Sequence, residues 1–309
     1  MVPLTIEKVA KLLAIDTSLF CAECTEFITN HNFNYRDLDS AELQSCILEN
    51  LQEIQHERLE YSGSHRKQKW NQGWNENYEL LLKSPNDLSV LKPRYYRPNH
   101  IIRFGDRYVF SESEDFEYNI FQLIRAFVLN NFIKKTQHTK LFEFGCGPAH
   151  NLVYFAHRSP NIQYFGLDWA NSSQRIITQI NKTFGYSIIG KKYDFFQPNT
   201  HLPIDDNSVI VTFGALEQTS SKWHDLLTYW LKSKPALIIN VEPISELYHQ
   251  KSLIDYLGLM YHQKRNYLAG YYTFLKSLLS SGTIKSLEVH KVAIGGRYMN
   301  GWNILVWKP

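Results

Sequence analysis

The chain has 309 residues, 44% of them hydrophobic and 14% aromatic. A chain of this length can bury a stable core without disulfide bonds or a structural metal ion. Its formal net charge of +3 is too mild for the concentrated basic face that nucleic-acid-binding proteins usually carry. Four cysteines without a metal-ligand pattern, charges within the first apolar segment and the lack of a long uncharged apolar run favour a cytoplasmic protein with reduced thiols. The same features argue against a signal peptide and a membrane span.

Residues 1 to 113 are predicted to form a mainly α-helical N-terminal cap. Apolar residues recur at helical spacing from residue 4 to 60, and Asp39 or Ser40 is a helix start signal. The periodicity then fades into a polar, aromatic and basic stretch in which "HIIRF" and "RYVFS" predict a β-hairpin. This stretch is too aromatic for a disordered linker, so we expect it to cap or line a site.

Residues 114 to 309 are predicted to form an α/β domain. An amphipathic helix, "EDFEYNIFQLIRAFVLNNFIKK", leads to residue 140, and short apolar strands then alternate with helical stretches. Such alternation predicts a Rossmann-like parallel sheet with helices on both faces. The last two strands are separated only by "IGGRYMNGW", which predicts an antiparallel hairpin at the C-terminal edge of the sheet.

The stretch "LFEFGCGPAHN" begins this alternation and predicts a ligand-binding bend between a strand and a helix. Ligands of open parallel sheets bind at the carboxyl ends of the strands, and Gly145 and Gly147 let the backbone approach closely because neither has a Cβ. A dinucleotide loop would need a third glycine at position 150, which is His150. The match to a nicotinamide dinucleotide site is therefore poor.

Carboxyl groups follow this bend at the ends of successive predicted strands. Glu143 lies two residues before the first glycine, Asp168 and Asp194 close the second and third strands, and Glu217 follows the fourth. Carboxylates accept hydrogen bonds from an amine, a ribose diol and an adenine amino group. They repel phosphates, so a nucleoside triphosphate fits such a crevice badly.

The stretches "EFGCGPA", "GLDWA", "YDFF" and "GALEQT" resemble, in this order, motifs of the class I S-adenosylmethionine-dependent methyltransferases. The resemblance covers roughly residues 118 to 309, and "GPA" has Ala149 where the family usually has a third glycine. It implies S-adenosylmethionine as cofactor and a set of cofactor-binding residues. In that set Gly145 and Gly147 face the methionine part, Glu143 lies near its amino group, Asp168 takes the ribose hydroxyls, Asp194 holds the adenine amino group, Phe195 and Trp169 pack beside the adenine, and Glu217 belongs to the fourth motif.

Catalytic and acceptor-binding residues are less constrained, because methyl transfer depends mostly on proximity and alignment. A hydroxyl acceptor also needs a base, and we predict acid–base roles for Glu242 and His262. The predicted substrate-binding residues offer stacking faces or charged donors: Tyr95, Tyr96, Arg265 and Arg297. No motif calls for a metal ion.

The sequence therefore predicts methyl transfer to a small polar molecule, with a sugar hydroxyl in glycan or secondary-metabolite biosynthesis preferred. Protein or RNA methylation is an alternative that needs a basic groove. A non-catalytic S-adenosylmethionine-binding protein is another, and it should lack an open pocket on the acceptor side. An NAD-dependent oxidoreductase is disfavoured by His150 and by the acids. The oligomeric state has no signal in the sequence.

Overall fold

The computed structural model describes residues 1–198 and 201–309. Its N-terminal region is mainly helical and also contains three short strands. Local signals start its helices: Thr5 accepts a hydrogen bond from the Lys8 N–H, and Asp39 and Glu42 form a capping box. The helices are α1 (Ile6–Leu13), α2 (Ala22–Asn30), α3 (Ser40–Gln55) and α4 (Lys67–Lys83), and the strands are β1 (Tyr35–Asp37), β2 (Ile101–Phe104) and β3 (Arg107–Ser111). The predicted hairpin is the β2–β3 pair, which is antiparallel.

From residue 114 onward helices and strands alternate, as predicted. The helices are α5 (Phe116–Val128), α6 (His150–Arg158), α7 (Asn171–Phe184), α8 (His224–Ser233), α9 (Leu253–Lys264) and α10 (Tyr271–Ser280). The strands are β4 (Lys140–Phe144), β5 (Gln163–Asp168), β6 (Ile189–Lys192), β7 (Ser208–Phe213), β8 (Leu237–Glu242), β9 (Ser286–His290), β10 (Ile294–Gly295) and β11 (Asn303–Lys308). The long helical region predicted after the fifth strand is split into α9 and α10.

Seven of these strands form one sheet in the order β6-β5-β4-β7-β8-β11-β9. The pairs among β4 to β8 are parallel, whereas β11 is antiparallel to both β8 and β9. Strands β7 and β8 are buried along their whole length, as expected for parallel strands covered on both faces. The predicted Rossmann-like α/β fold with an antiparallel C-terminal edge is confirmed.

A second, four-stranded sheet links the two predicted regions. Its order is β1-β3-β2-β10, so the segment between the last two strands of the main sheet pairs with the N-terminal hairpin. Buried Arg103 of β2 reinforces this link, since it donates to the Asp255 carboxylate of α9 at 3.0 Å and to the Ile254 carbonyl. Buried apolar residues of both regions also share one core. A domain boundary after residue 113 stays a prediction.

Helix α4 packs against α7. It lies beside the bend that follows β4, at the carboxyl ends of the parallel strands. The Ser172 hydroxyl donates to the Asn71 carbonyl at 2.9 Å, and the Arg175 guanidinium donates to the Asn75 side chain at 3.1 Å. These bonds fix the face of α4 that carries Trp70 and Trp74. Among the described residues, no helix has the length and apolar character needed to cross a bilayer.

Candidate functional site

The bend after β4 has the backbone conformation that its glycines predict. Gly145 and Gly147 have φ values of 77° and 50°, in the left-handed region. The Gly145 and Cys146 N–H groups both donate to the Leu167 carbonyl of β5, at 2.7 and 3.0 Å. Ala149 also has a left-handed φ, 62°, immediately before α6, which costs an alanine about 1–2 kcal/mol.

Asp168 at the end of β5 holds this bend in place. Its Oδ2 accepts from the Gly147 N–H at 2.9 Å and its Oδ1 accepts from the Ala170 N–H at 2.8 Å. Burial raises the pKa of Asp168 to about 6, against the opposing effect of these two donors. A carboxylate has about four acceptor sites, so the group retains free lone pairs on the cavity that it lines.

Glu143 of β4 presents a buried oxygen without a partner. Its Oε1 accepts from the Asn151 amide at 2.8 Å, whereas no described residue donates a hydrogen bond to its Oε2. The side chain is only 1% exposed, and burial raises its pKa to about 8. Because buried polar atoms are nearly always paired, this oxygen indicates a ligand that carries a donor.

The cavity that these groups line lies beside the bend and has about 660 Å³ of empty space, part of which is open to solvent. One wall is aromatic: the Trp169 and Phe196 rings stack with their centroids 6.0 Å apart, and Phe195 lies beside them. A Cβ at Gly145 would lie 2.3 Å from the Ala215 Cβ, closer than side-chain carbons approach. Glycine is therefore needed there for the wall to close.

Helix α4 supplies the opposite wall; the stretch that contains it was expected to cap or line a site, but no helix was predicted there. The Trp70 and Trp74 rings stack with their centroids 5.3 Å apart, and a Cβ at Gly147 would lie 2.9 Å from Trp74 Cζ2. Gln218 lies at the same wall and its Oε1 faces Trp70 Nε1 at 3.4 Å. The available signal was a tryptophan repeated after four residues, a spacing that places both rings on one face of a helix.

Asp194 lies outside this cavity, unlike the other predicted adenine neighbours. Its Oδ1 accepts from the Phe196 N–H at 3.0 Å, and its Oδ2 faces Lys67 Nζ of α4 at 3.2 Å. Phe195 and Trp169 do line the cavity. The Asp194 carboxylate closes a turn and ties α4 to the sheet, and its contact with the adenine stays a prediction.

A second, wider cleft of about 2200 Å³ adjoins the cavity. Trp70, Trp74, Tyr95 and Gly214 line both spaces, so the cavity and the cleft meet at these residues. Three of the four predicted substrate-binding residues line the cleft: Tyr95, Arg265 and Arg297. Tyr96 does not, because its ring is buried and stacks on Trp302 with centroids 5.9 Å apart.

Glu217 lines the cleft and not the cavity. Its Oε1 accepts from the Gln218 amide at 2.8 Å. Burial, and secondarily the neighbouring Glu242 carboxyl, raises the pKa of Glu217 to about 8. Glu217 thus lies on the cleft, and its contact with the cofactor stays a prediction.

Glu242 and His262 line neither the cavity nor the cleft, and their acid–base roles stay predictions. The fully buried Glu242 carboxylate accepts from three consecutive backbone N–H groups, of Ala215, Leu216 and Glu217, at 3.0 to 3.1 Å. His262 is 2% exposed and its Nε2 is bonded to the Leu268 carbonyl at 2.7 Å. Both side chains hold backbone segments in place.

No protein-family model matches the chain, and no curated protein matches it. Among solved structures, the chain is similar to "PigF with SAH" at 17% identity, with 63% of this chain and 62% of that chain covered and a TM-score of 0.43. It is similar to the plantazolicin methyltransferase BpumL in complex with SAH at 15% identity, 62% and 84% coverage and a TM-score of 0.43.

An O-methyltransferase family protein from Burkholderia thailandensis is also similar, at 10% identity, 63% and 57% coverage and a TM-score of 0.45. The matched region thus spans less than two thirds of PigF and of the Burkholderia protein. At these identities the comparisons assign no role to any residue. Among the described residues, no group of three or more His, Cys, Asp or Glu side chains is placed to hold a metal ion.

Proposed function

We propose that this protein binds S-adenosylmethionine in the cavity beside Gly145 and transfers its methyl group to a small polar acceptor in the adjoining cleft. One observation carries the proposal: the buried, unpartnered Glu143 Oε2 lies on the same cavity as the Asp168 carboxylate and the side-chain-free bend. An ammonium group satisfies such an oxygen and offsets the free energy of burying the charge.

The lining residues fit the other parts of this cofactor. The free lone pairs of Asp168 accept from ribose hydroxyls, and the faces of Trp169, Phe195 and Phe196 pack on a purine. When bound, the cofactor supplies an electrophilic methyl group on a positively charged sulfur. Trp70 and Trp74 exclude water from their side of the cavity. Methyl transfer removes the positive charge of the sulfur, and a less polar environment favours that change.

A nicotinamide dinucleotide fits the cavity less well, because its pyrophosphate needs donors or cations at the bend. Asp168, whose pKa burial raises only to about 6, is mostly ionised at pH 7 and opposes phosphate. His150, where a third glycine would lie, is also a poor phosphate partner, since burial lowers its pKa well below the usual value and keeps the ring neutral. These charges support the sulfonium cofactor.

The open cleft supports turnover over a purely cofactor-binding role, since a non-catalytic protein has no need of an acceptor pocket. Two of its carboxyl groups suit proton removal from a hydroxyl acceptor. Burial raises the pKa of Glu117 to about 7 and that of Glu217 to about 8, close to the operating pH that general-base catalysis favours. The sugar hydroxyl stays a prediction, with protein or RNA acceptors as alternatives that need a basic groove.

Calorimetry with S-adenosylhomocysteine and with NAD tests the cofactor. We expect S-adenosylhomocysteine to bind and NAD to bind at least tenfold more weakly. We expect Asp168→Ala to lose binding of S-adenosylhomocysteine. Asp206→Ala, an exposed acid, is the matched control and should bind like the wild type. Tighter binding of NAD, or unchanged affinity in Asp168→Ala, would refute the assignment. A turnover assay on pooled metabolites with S-adenosylmethionine then searches for the acceptor.

A further inference from the structure

We propose that the acceptor carries an anionic group, a carboxylate or a phosphate, which the guanidinium groups of Arg66 and Arg265 bind in the cleft. This inference rests on the proposed function only in identifying the bound anion as the methyl acceptor. The anion site itself is inferred from the residues of the cleft. Neither arginine belongs to the cavity that surrounds the glycine bend.

Arg66 is a buried cation with an unsatisfied donor. The residue is 8% exposed and lines the cleft. Its Nη1 donates to Gln218 Oε1 at 3.2 Å, and its Nε makes no hydrogen bond with a described residue. The nearest carboxylate oxygen, Glu60 Oε2, lies 3.4 Å from that Nε and is shared with the Lys69 ammonium at 2.8 Å. A buried guanidinium so weakly paired favours an added anion.

Arg265 lies at the end of α9 and faces the same cleft. Its Nε is buried and finds no hydrogen-bond acceptor in the described part of the chain. The guanidinium carbon is 5.0 Å from the centroid of the Tyr267 ring. The Ser62 N–H donates to the Arg265 carbonyl at 2.7 Å, which joins the segment leading to Arg66 to the end of α9. Burial, and secondarily the Arg265 guanidinium, lowers the pKa of Arg66, so the two guanidinium groups lie near each other in the cleft.

The charge balance of the cleft also favours an anion. Its lining contains six basic residues and three acids, the latter being Glu53, Glu117 and Glu217. The basic residues are Arg66, Lys69, Arg94, Arg97, Arg265 and Arg297. Since burial raises the pKa of Glu117 to about 7 and of Glu217 to about 8, these two acids are partly neutral at pH 7. Three of the cations are paired with acids outside the lining, Lys69 with Glu60, Arg94 with Glu76 and Arg297 with Glu49, so the excess positive charge comes from Arg66, Arg97 and Arg265.

Aromatic side chains complete the site. The Tyr261 and Tyr298 rings, both on the cleft, stack with their centroids 5.0 Å apart at an angle of 12°. Tyr95, Trp70 and Trp74 line the end of the cleft that meets the cavity. Flat faces next to paired guanidinium groups suit a ring that bears an acid. The class of acceptor is thus a small, flat organic acid or phosphate ester.

Probes of matched shape and different charge test this site. Benzoate and phenyl phosphate are compared with benzyl alcohol by calorimetry on the full chain, with and without saturating S-adenosylhomocysteine. We expect at least tenfold tighter binding of one anion than of the alcohol, and the preferred anion distinguishes carboxylate from phosphate. Arg265→Gln and Arg66→Gln should each reduce that preference at least fivefold. Arg107→Gln should not, because Arg107 lies outside the cleft, is exposed and is paired with Asp37 at 3.1 Å.

The wild-type comparison needs no variant, so a folding defect in a substituted protein leaves the test intact. Equal affinity for benzyl alcohol and both anions overturns the inference. So does a preference for anions that survives both Arg265→Gln and Arg66→Gln in proteins that melt like the wild type. Failure of S-adenosylhomocysteine to bind while the anion preference remains sinks only the proposed function, whereas the reverse result sinks only the anion site.

Discussion

Gly145 and Ala215 approach so closely that a Cβ on residue 145 would lie 2.3 Å from the Ala215 Cβ. Ala215 follows β7, and its loop is fixed because the Glu242 carboxylate accepts from the N–H groups of residues 215 to 217. The bend after β4 and the loop after β7 are thus a single contact surface. Gly145 and Ala215 both line the cavity, and the neighbouring Gly214 also lines the cleft.

Replacement of Gly145 by alanine tests this contact. Both Gly145→Ala and the control Gly282→Ala place a Cβ at a left-handed φ, 77° and 73°, but no atom lies within 4 Å of the control Cβ. We expect the control to lose about 1–2 kcal/mol of unfolding free energy from its backbone conformation. Gly145→Ala should lose about 1–3 kcal/mol more through overpacking. Urea unfolding measures both, and equal losses would show that the loop yields freely.

Glu143 should make cofactor affinity depend on pH. Burial raises its pKa to about 8, so the free protein holds a proton there at pH 6 to 7. A bound ammonium group favours the ionised form, and affinity for S-adenosylhomocysteine should increase from pH 6 to 8 by up to about tenfold per unit. Calorimetry in buffers of different ionisation enthalpy should detect the released proton. Affinity that does not change with pH contradicts this role.

The variant Glu143→Gln separates binding from stability. It should bind S-adenosylhomocysteine at least tenfold more weakly, without pH dependence. The folded-state pKa of Glu143 lies above its ordinary value of 4.5, so the protonated form stabilises the fold and this contribution is lost as pH rises toward 8. Glu143→Gln cannot ionise, and its melting temperature at pH 8 should equal or exceed that of the wild type. Glu57→Gln, at an exposed position, should change neither property.

Glu242 should prove to be a structural residue. Its carboxylate accepts from three backbone N–H groups, and in Glu242→Gln the amide NH₂ would face at least one of these donors. An unsatisfied buried group costs about 1–3 kcal/mol, so we expect a loss of that size in urea unfolding at pH 8. A general-base role predicts the opposite pattern, with lost activity and unchanged stability.

Asp194 should contribute little to cofactor affinity. Its Oδ2 faces Lys67 at 3.2 Å, with 43% of the Lys67 side chain exposed, and such ion pairs contribute about 0–1 kcal/mol. We expect Asp194→Asn to bind S-adenosylhomocysteine within about threefold of the wild type, whereas Asp168→Asn binds at least tenfold more weakly. A tenfold loss in Asp194→Asn by calorimetry would restore the adenine contact predicted from the sequence.

Local signals in the sequence predicted the bend and the acids around it. A strand, two glycines and a helix start are encoded by neighbouring residues, and parallel strands bring their carboxyl ends to one edge of the sheet. For that reason Glu143, Gly145, Gly147 and Asp168 were correctly predicted to lie together, and all four line the cavity. The antiparallel edge pair followed from strand spacing in the same way.

Only the tertiary structure decided which side chains line the cavity. Lys67 reaches Asp194 across 127 positions, and Trp74 of α4 closes the cavity against Gly147. Glu242 ends a strand as Asp168 does, yet the loop at residues 215 to 217 takes up its carboxylate. The residue types fixed which groups can bind a cofactor. The tertiary structure decided which of these groups remain free to bind it, because a buried polar atom bonds to whichever partner a distant segment places beside it.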